Sequence, residues 1–302
     1  MAAMAFIGVT TSQSMINRLF PLWAKELDLP DAELRGIDLP VDSAPDAYRR
    51  VIEAVRDDRV LAGALVTTHK LAVFESAGDV FAELDPDAQR CREISCIVRD
   101  GAGLVGYAKD PTTVALALDL LLPDGYFAES GGYVLCLGAG GAGTALALCL
   151  LTRELRAGRP QRIVLADVKT ERLRAVRALV DGLPGADVDT VALTEPDAAD
   201  RLLAGMPAGS LIANATGLGK DRPGSPIDDA ARFPADAIAW DFNYRGDLQF
   251  LRQAGRQPGV RAEDGWDYFL HGWIEHITEI YRRPNSPALF QRLSNIAAPF
   301  RP

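Results

Sequence analysis

Cysteine, histidine and lysine are all scarce in this 302-residue chain, at four, three and five residues. Four cysteines (Cys91, Cys96, Cys136, Cys149) cannot supply the disulfide framework of a small secreted domain. Two of them lie inside the apolar runs YVLCLG and ALCLL, where a thiol behaves as a small hydrophobe. Cys91 and Cys96 are five apart, no usual zinc spacing, and no carboxylate/histidine cluster has ligand spacing, so no metal is expected. Positive charge is also short. The net charge is −9 with no basic run, which would repel a phosphate backbone, so nucleic acid is not an expected partner. The longest apolar stretch, GTALALCLL at 143–151, falls far short of the roughly 20 residues that span a bilayer. The opening MAAMAFIGVTTSQS lacks the basic segment of a secretory leader. A cytoplasmic chain with reduced thiols and no membrane partner is the expectation. What remains is ordinary globular composition, 48% hydrophobic and 24% charged. Its length suits about two domains.

Strand-like and helix-like segments alternate from Ala5 onward. FIGV (6–9), ELRGIDLP (33–40) and VLAGALVT (60–67) read as strands, with helices to about Leu27 and over Ala44–Val55. EISCIVRDGAGLVGY (93–107) reads as a hairpin around Asp100-Gly101. Asp110-Pro111 opens a helix with an acidic start and an early proline. The turn-rich PDGYFAESGG (123–132) marks a boundary. Beyond it, apolar runs at 133–138, 162–167, 187–193, 210–216, 237–243 and near Val260 repeat a strand–crossover–strand pattern. The fold class expected is α/β, with an N-terminal α/β substrate domain (1–122) and a C-terminal doubly wound Rossmann domain (123–264). The aromatic-rich helices of 265–302 are expected to return to the first domain.

Gly138, Gly140 and Gly143 form a G-x-G-x-x-G pattern, with Gly141 inside it, between an apolar strand and an Ala/Leu helix. In that setting the first glycine makes the tight turn and the second lets backbone approach a pyrophosphate. The third lets helix and strand pack closely, and the helix N-terminus offers N–H groups to phosphate. Asp167 ends the next strand, 24 residues past Gly143. A carboxylate there either accepts from the adenosine ribose 2′-hydroxyl or caps the following helix. Nearby Arg172 is a candidate for a 2′-phosphate.

In the first domain VTTHK (66–70) ends a buried strand with Thr67 and Lys70. A lysine there suits proton transfer better than arginine, because its pKa moves with burial. Paired with Asp110, it could exchange a proton with an alcohol while hydride leaves the carbon. Taken singly, the two residues also read as a solvated lysine and a helix-capping aspartate.

Across most of its length the chain resembles the shikimate/quinate dehydrogenase family. The motifs run in the family's order: IGVTTSQS, VTTHK, GYAKD, GAGGAG, NATGLG, DFNY and DGWDYFLHG. The resemblance implies that Lys70 and Asp110 are the catalytic dyad. It implies that Ser12, Ser14 and Tyr244 hold a substrate carboxylate, and that Asn214, Thr216 and Gly217 lie along the nicotinamide ribose. Gly265 would make a backbone contact to the nicotinamide. The departures lie on the substrate side. Leu65 stands ahead of a shortened lysine motif, Ser95 replaces an asparagine and Ala108-Lys109 replaces Asn-Thr, while His271 or a residue one place away replaces a glutamine. Amides bind ring hydroxyls as donor and acceptor together, so their loss implies fewer or repositioned hydroxyls, or a different ring substituent. Lys109 is expected to add positive charge beside the site.

The expected function is an NAD(P)-dependent alcohol dehydrogenase for a ring hydroxyl of shikimate, quinate or a relative, with a small-molecule substrate as its partner and a monomer or homodimer as its state. NAD is the expected cofactor, with NADP second, since ADVKTE lacks the Asn-Arg-Thr of the family's NADP users. Two alternatives stand beside this. A metabolite sensor without turnover fits the altered substrate motifs, but it has no need of a Lys70/Asp110 proton couple. A methylene-tetrahydrofolate-type dehydrogenase also pairs a lysine with a Rossmann domain, but Ser12, Ser14, DFNY and DGW argue against it.

Overall fold

Two units organise the chain in the computed structural model, which describes residues 3–220 and 222–302. The first two residues of the stretch read for a leader therefore lie outside the described residues. One unit runs up to Asp110 and includes Leu270–Arg301; the other is Pro111–Phe269. The expected boundaries, after 122 and before 265, lie twelve and five residues from these. Both observed divisions fall within helices, at the start of Asp110–Leu121 and four residues into Trp266–Ile280, where no loop marks them.

The first unit is built on β1 (Ala3–Gly8), β2 (Glu33–Asp38), β3 (Leu61–Val66), β4 (Glu83–Leu84), β5 (Cys96–Asp100) and β6 (Gly103–Tyr107). Their order is β2-β1-β3-β5-β6-β4. β1 is buried throughout, while β2 at the edge is largely exposed. Parallel pairing of β1 with β2 and β3 demands crossovers, supplied by the Ile16–Glu26 and Pro45–Asp57 helices. Leu19, Phe20 and Trp23 recur at helical spacing on one buried face, and Tyr48, Ile52 and Val55 do the same on the other helix. β5 turns back antiparallel to β3 and β6, with Gly101 at φ 56° in the hairpin turn. Returning chain completes this unit. Trp23 Nε1 donates to the Leu293 carbonyl at 3.0 Å, within a helix (Pro287–Ala297) whose N-cap Ser286 accepts from the Leu289 N–H.

The second unit holds β7 (Val134–Leu137), β8 (Arg162–Asp167), β9 (Asp187–Ala192), β10 (Leu211–Asn214), β11 (Ile238–Asp241) and β12 (Arg261–Glu263). All are parallel, in the order β9-β8-β7-β10-β11-β12. That is the doubly wound 3-2-1-4-5-6 sequence, with its switch point between β7 and β10, where such sheets bind ligands. Central strands are wholly buried, as their apolar runs require. β9 departs from that pattern; an edge strand with one neighbour, it is half-exposed.

Candidate active site

In the first unit the loop after β1 is braced from below. Thr11 donates to Asp38 Oδ1 through its N–H (2.8 Å) and hydroxyl (2.6 Å). The Asn17 amide gathers the carbonyls of Thr11, Ser12 and Ser14. The side chains of Ser12 and Ser14 are left outward: among the described residues neither hydroxyl has a protein partner, and neither caps the helix that follows. Two hydroxyls on a fixed loop suit an anion.

β3 ends in a tight turn. Thr67 is half-buried, its N–H donating to the Ile7 carbonyl, and Thr68 takes φ 39°, rare for a β-branched residue. His69 is spent on structure: its Nε2–H donates to the Leu39 carbonyl (3.0 Å) and its Nδ1 faces the Tyr48 hydroxyl (3.4 Å). The turn delivers Lys70 as the first residue of the Lys70–Ala77 helix, where its ammonium is ion-paired with Asp110 Oδ2. These side chains are only 20% and 10% exposed. Burial pulls the Lys70 pKa down, but the charges of Asp110 and Glu93 outweigh it and hold it above the ordinary lysine value.

Glu93 was not legible as a site residue. It follows Arg92, the left-handed end of the Pro86–Cys91 helix, and its neighbour Ile94 donates to the Lys70 carbonyl at 3.1 Å. Buried to 5% exposure, its carboxyl is pushed up to about 7 by burial and by the Asp110 charge, against the pull of Lys70. Ser95, expected on the substrate, is instead fully buried; its hydroxyl accepts the Lys109 N–H at 2.8 Å and so fixes the segment ahead of Asp110. Nor does Lys109 present a free charge, because its ammonium pairs with Glu279 at 2.5 Å. His271 lies apart from the charged groups. It stacks on Phe290 (centroids 3.7 Å apart), neither ring nitrogen has a hydrogen-bond partner among the described residues, and burial alone drives its pKa down to about 4.

In the second unit the glycine loop after β7 meets a demanding steric test. A Cβ on Gly143 would sit 2.0 Å from the Gly138 carbonyl oxygen, and one on Gly138 (φ 106°) would sit 2.7 Å from Ala215 backbone. Above Gly141 the space is open, and above Gly140 only Arg172 comes near. Close packing below and open space above, at the start of the Gly141–Thr152 helix, fit a dinucleotide pyrophosphate. Asp167 accepts from Ala139 N–H in that loop and from Lys169 N–H, both at 2.8 Å, with Arg172 Nη1 3.5 Å away.

The loop after β10 is held by its own amides. Asn214 Oδ1 accepts from the Thr216 N–H (3.1 Å) and hydroxyl (2.7 Å), while its Nδ2 donates to Asp241 Oδ2 (3.0 Å). Asn243 Nδ2 donates to the Leu218 carbonyl, and Gly217 takes φ 75°. Gly265 has no room for a side chain, since a Cβ would meet the Phe242 carbonyl oxygen at 2.2 Å. The Tyr244 ring packs on Phe269 and Trp266.

Over 233 residues the chain is 31% identical to the shikimate dehydrogenase (NADP(+)) of Methylobacterium radiotolerans, covering 76% of each protein. The chain belongs to the shikimate dehydrogenase family. Its fold agrees across the whole length with shikimate 5-dehydrogenase from Listeria monocytogenes, solved with shikimate and NAD (TM-score 0.75, 17% identity, 98% and 96% of the two chains). It agrees as well with the Thermus thermophilus shikimate 5-dehydrogenase solved with NADP(H) and shikimate (TM-score 0.72, 21% identity, 98% and 100%). No family model matches the chain. As a shikimate dehydrogenase family member the protein is an NAD(P)-dependent oxidoreductase. Among the described residues no helix is long and apolar enough to cross a membrane.

Proposed function

We propose that this chain interconverts a ring hydroxyl and a ring ketone on a carboxylated cyclic polyol, shikimate or a relative such as quinate, with a nicotinamide dinucleotide. The observation that carries this reading is the buried Lys70–Asp110 pair at the end of β3. The bound nicotinamide supplies the hydride acceptor or donor. The proton is the protein's share. Held as an ammonium, Lys70 gives a proton to the carbonyl oxygen as the ketone is reduced. In the oxidation direction it must first lose that proton, and the neutral amine then takes the hydroxyl proton. Asp110 keeps the amine oriented, and Ser12 and Ser14 donate to the substrate carboxylate. Alcohol oxidation should accordingly quicken as pH rises.

Asp167 supports NAD. Its carboxylate is pinned by two backbone N–H groups at the end of β8, where a 2′-hydroxyl can donate and a 2′-phosphate is repelled. The next residue, Val168, is 72% exposed and offers no cation. NADP is the second reading, favoured by Arg172 beside the same carboxylate and by the NADP(+) in the relative's name. A panel of carboxylated ring alcohols with NAD and NADP, followed at the nicotinamide absorbance, tests both levels. Turnover of none of them refutes the reaction; a higher kcat/KM with NADP refutes the cofactor preference.

A further inference from the structure

Asp110 is placed by a two-residue link. Ala108 and Lys109 join the end of β6 to the Asp110–Leu121 helix, and their N–H groups find side chains rather than backbone. Ala108 donates to Asp85 Oδ1 (3.2 Å) and Lys109 to Ser95 Oγ (2.8 Å). The Lys70 carbonyl in turn accepts from Ile94, beside Ser95, at 3.1 Å. Lys70, Ile94-Ser95 and Lys109-Asp110 thus form a closed loop of contacts, sealed by the Lys70–Asp110 ion pair.

A further tie enters this loop from distant chain. The Lys109 ammonium pairs with Glu279 Oε2 at 2.5 Å and lies 5.0 Å from the centre of the Tyr107 ring. The Lys109 side chain is only 13% exposed, so removing the carboxylate strands a nearly buried ammonium. Glu279 is itself firmly seated. On its helix (Trp266–Ile280), Trp273 meets Phe6 of β1 edge to face, with centroids 4.9 Å apart. Ile280 Cγ1 presses so close to β3 that a Cβ on Gly63 would lie 3.2 Å from it. Just past the helix, Arg282 donates to Asp100 Oδ1 at 2.7 Å. A helix seated on the sheet therefore carries the carboxylate that holds Lys109.

We propose that Glu279 is a positioning residue for the proton couple: by holding Lys109 it fixes the link that sets Asp110 against Lys70. This rests on the ring-alcohol reading above. The other titratable groups acting on Lys70 are Glu93 and Cys91; around Lys109 they are Glu275, Cys96, Tyr107 and Asp85. Charge and position predict different outcomes for Lys70. Through space alone, removing the Glu279 charge lowers the Lys70 pKa and removing the Lys109 charge raises it. Loosening Asp110 lowers it in both cases, since against burial it is chiefly the Asp110 charge that holds this pKa up.

The test follows oxidation of shikimate or quinate, whichever turns over faster, from about pH 6 to about pH 11. It compares the wild type with Glu279→Gln, Lys109→Met, Glu279→Asp and Lys109→Arg. The pH at which kcat/KM levels off reports loss of the Lys70 proton. It should fall by about one pH unit in the first three variants, with kcat about tenfold lower and KM changed less. Glu279→Asp keeps the charge and shortens the reach, so an effect of charge alone leaves it unmoved. Lys109→Arg keeps both cation and reach and should retain the wild-type profile. Opposite shifts for Glu279→Gln and Lys109→Met, or no shift in any variant, overturn the inference and leave the reaction standing. If the wild type oxidises neither compound, or Lys70→Ala changes neither turnover nor profile, the reading and the inference fall together. Should a neutral variant not fold, Glu279→Asp and Lys109→Arg decide: a shift in the first alone supports the inference, and any other pair of results overturns it.

Discussion

Replacing Glu93 by glutamine should stabilise the protein, and the gain should depend on pH in one direction. The Glu93 carboxyl stands at about 7 in the fold, against an ordinary 4.5, because burial and the Asp110 charge both oppose its ionisation. The folded state therefore holds this proton more tightly than the unfolded chain does. Between those two values the native form binds more protons, so stability falls as pH rises through the window and the full cost is present above about 7. A lift from 4.5 to about 7 corresponds to roughly 3 kcal/mol at about pH 8. Glutamine carries no charge at any pH and keeps the shape. The assay is urea unfolding of the wild type and Glu93→Gln at matched ionic strength from about pH 4 to about pH 8. The two proteins should differ little at the acid end, and the variant should gain steadily to on the order of 3 kcal/mol at the alkaline end. A difference that is flat with pH, or one that favours the wild type as pH rises, refutes the electrostatic account of this site.

Lys70→Ala should lower turnover by about a hundredfold or more while cofactor binding, measured by nicotinamide fluorescence, is retained. Near-normal turnover would remove Lys70 from the proton step. Replacing Ser12 and Ser14 together by alanine should raise KM mainly for carboxylated substrates, because their hydroxyls bind ground and transition states alike. Equal losses on an uncarboxylated analogue would leave the serines a structural role only. Asp167→Asn should narrow the NAD preference by about tenfold, since one repulsive charge near the 2′ position is removed. An unchanged ratio of kcat/KM for the two cofactors would show that Asp167 only braces the glycine loop.

Features that repeat locally were legible in the sequence. Apolar runs gave the strands, and glycine spacing gave the close-packed loop after β7, because both follow from backbone geometry within one βα unit. The two ends of the Lys70–Asp110 ion pair were legible through Lys70's place at a strand end and Asp110's at a helix start. Roles set by distant neighbours were not. Lys109 reads as an added charge until Glu279, 170 residues away, neutralises it. Ser95 reads as a substitute for an amide until its hydroxyl is found on the Lys109 N–H. Glu93 looks like any charged residue at a helix end, and only burial beside the dyad makes it unusual. His271 drew attention by its place in the DGWDYFLHG motif, and the structure buries it against Phe290, apart from the charged groups. The short helices Lys70–Ala77 and Pro86–Cys91 were missed because neither is long enough to show a period.

The Trp23 indole bonded to the Leu293 carbonyl joins positions 270 residues apart, and it sets an order of events during synthesis. Chains usually fold domain by domain from the N-terminus as they emerge. Here residues 3–107 hold all six strands of the first sheet, yet the helices that complete its packing come from residue 270 onward. Residues 111–269 contain all six strands of the second sheet, so that unit can close while the first still waits. Until residue 270 and beyond leave the ribosome, the apolar face of Leu19, Phe20 and Trp23 lacks the Pro287–Ala297 helix that covers it. A nascent chain halted anywhere in the second unit would expose that face to chaperones.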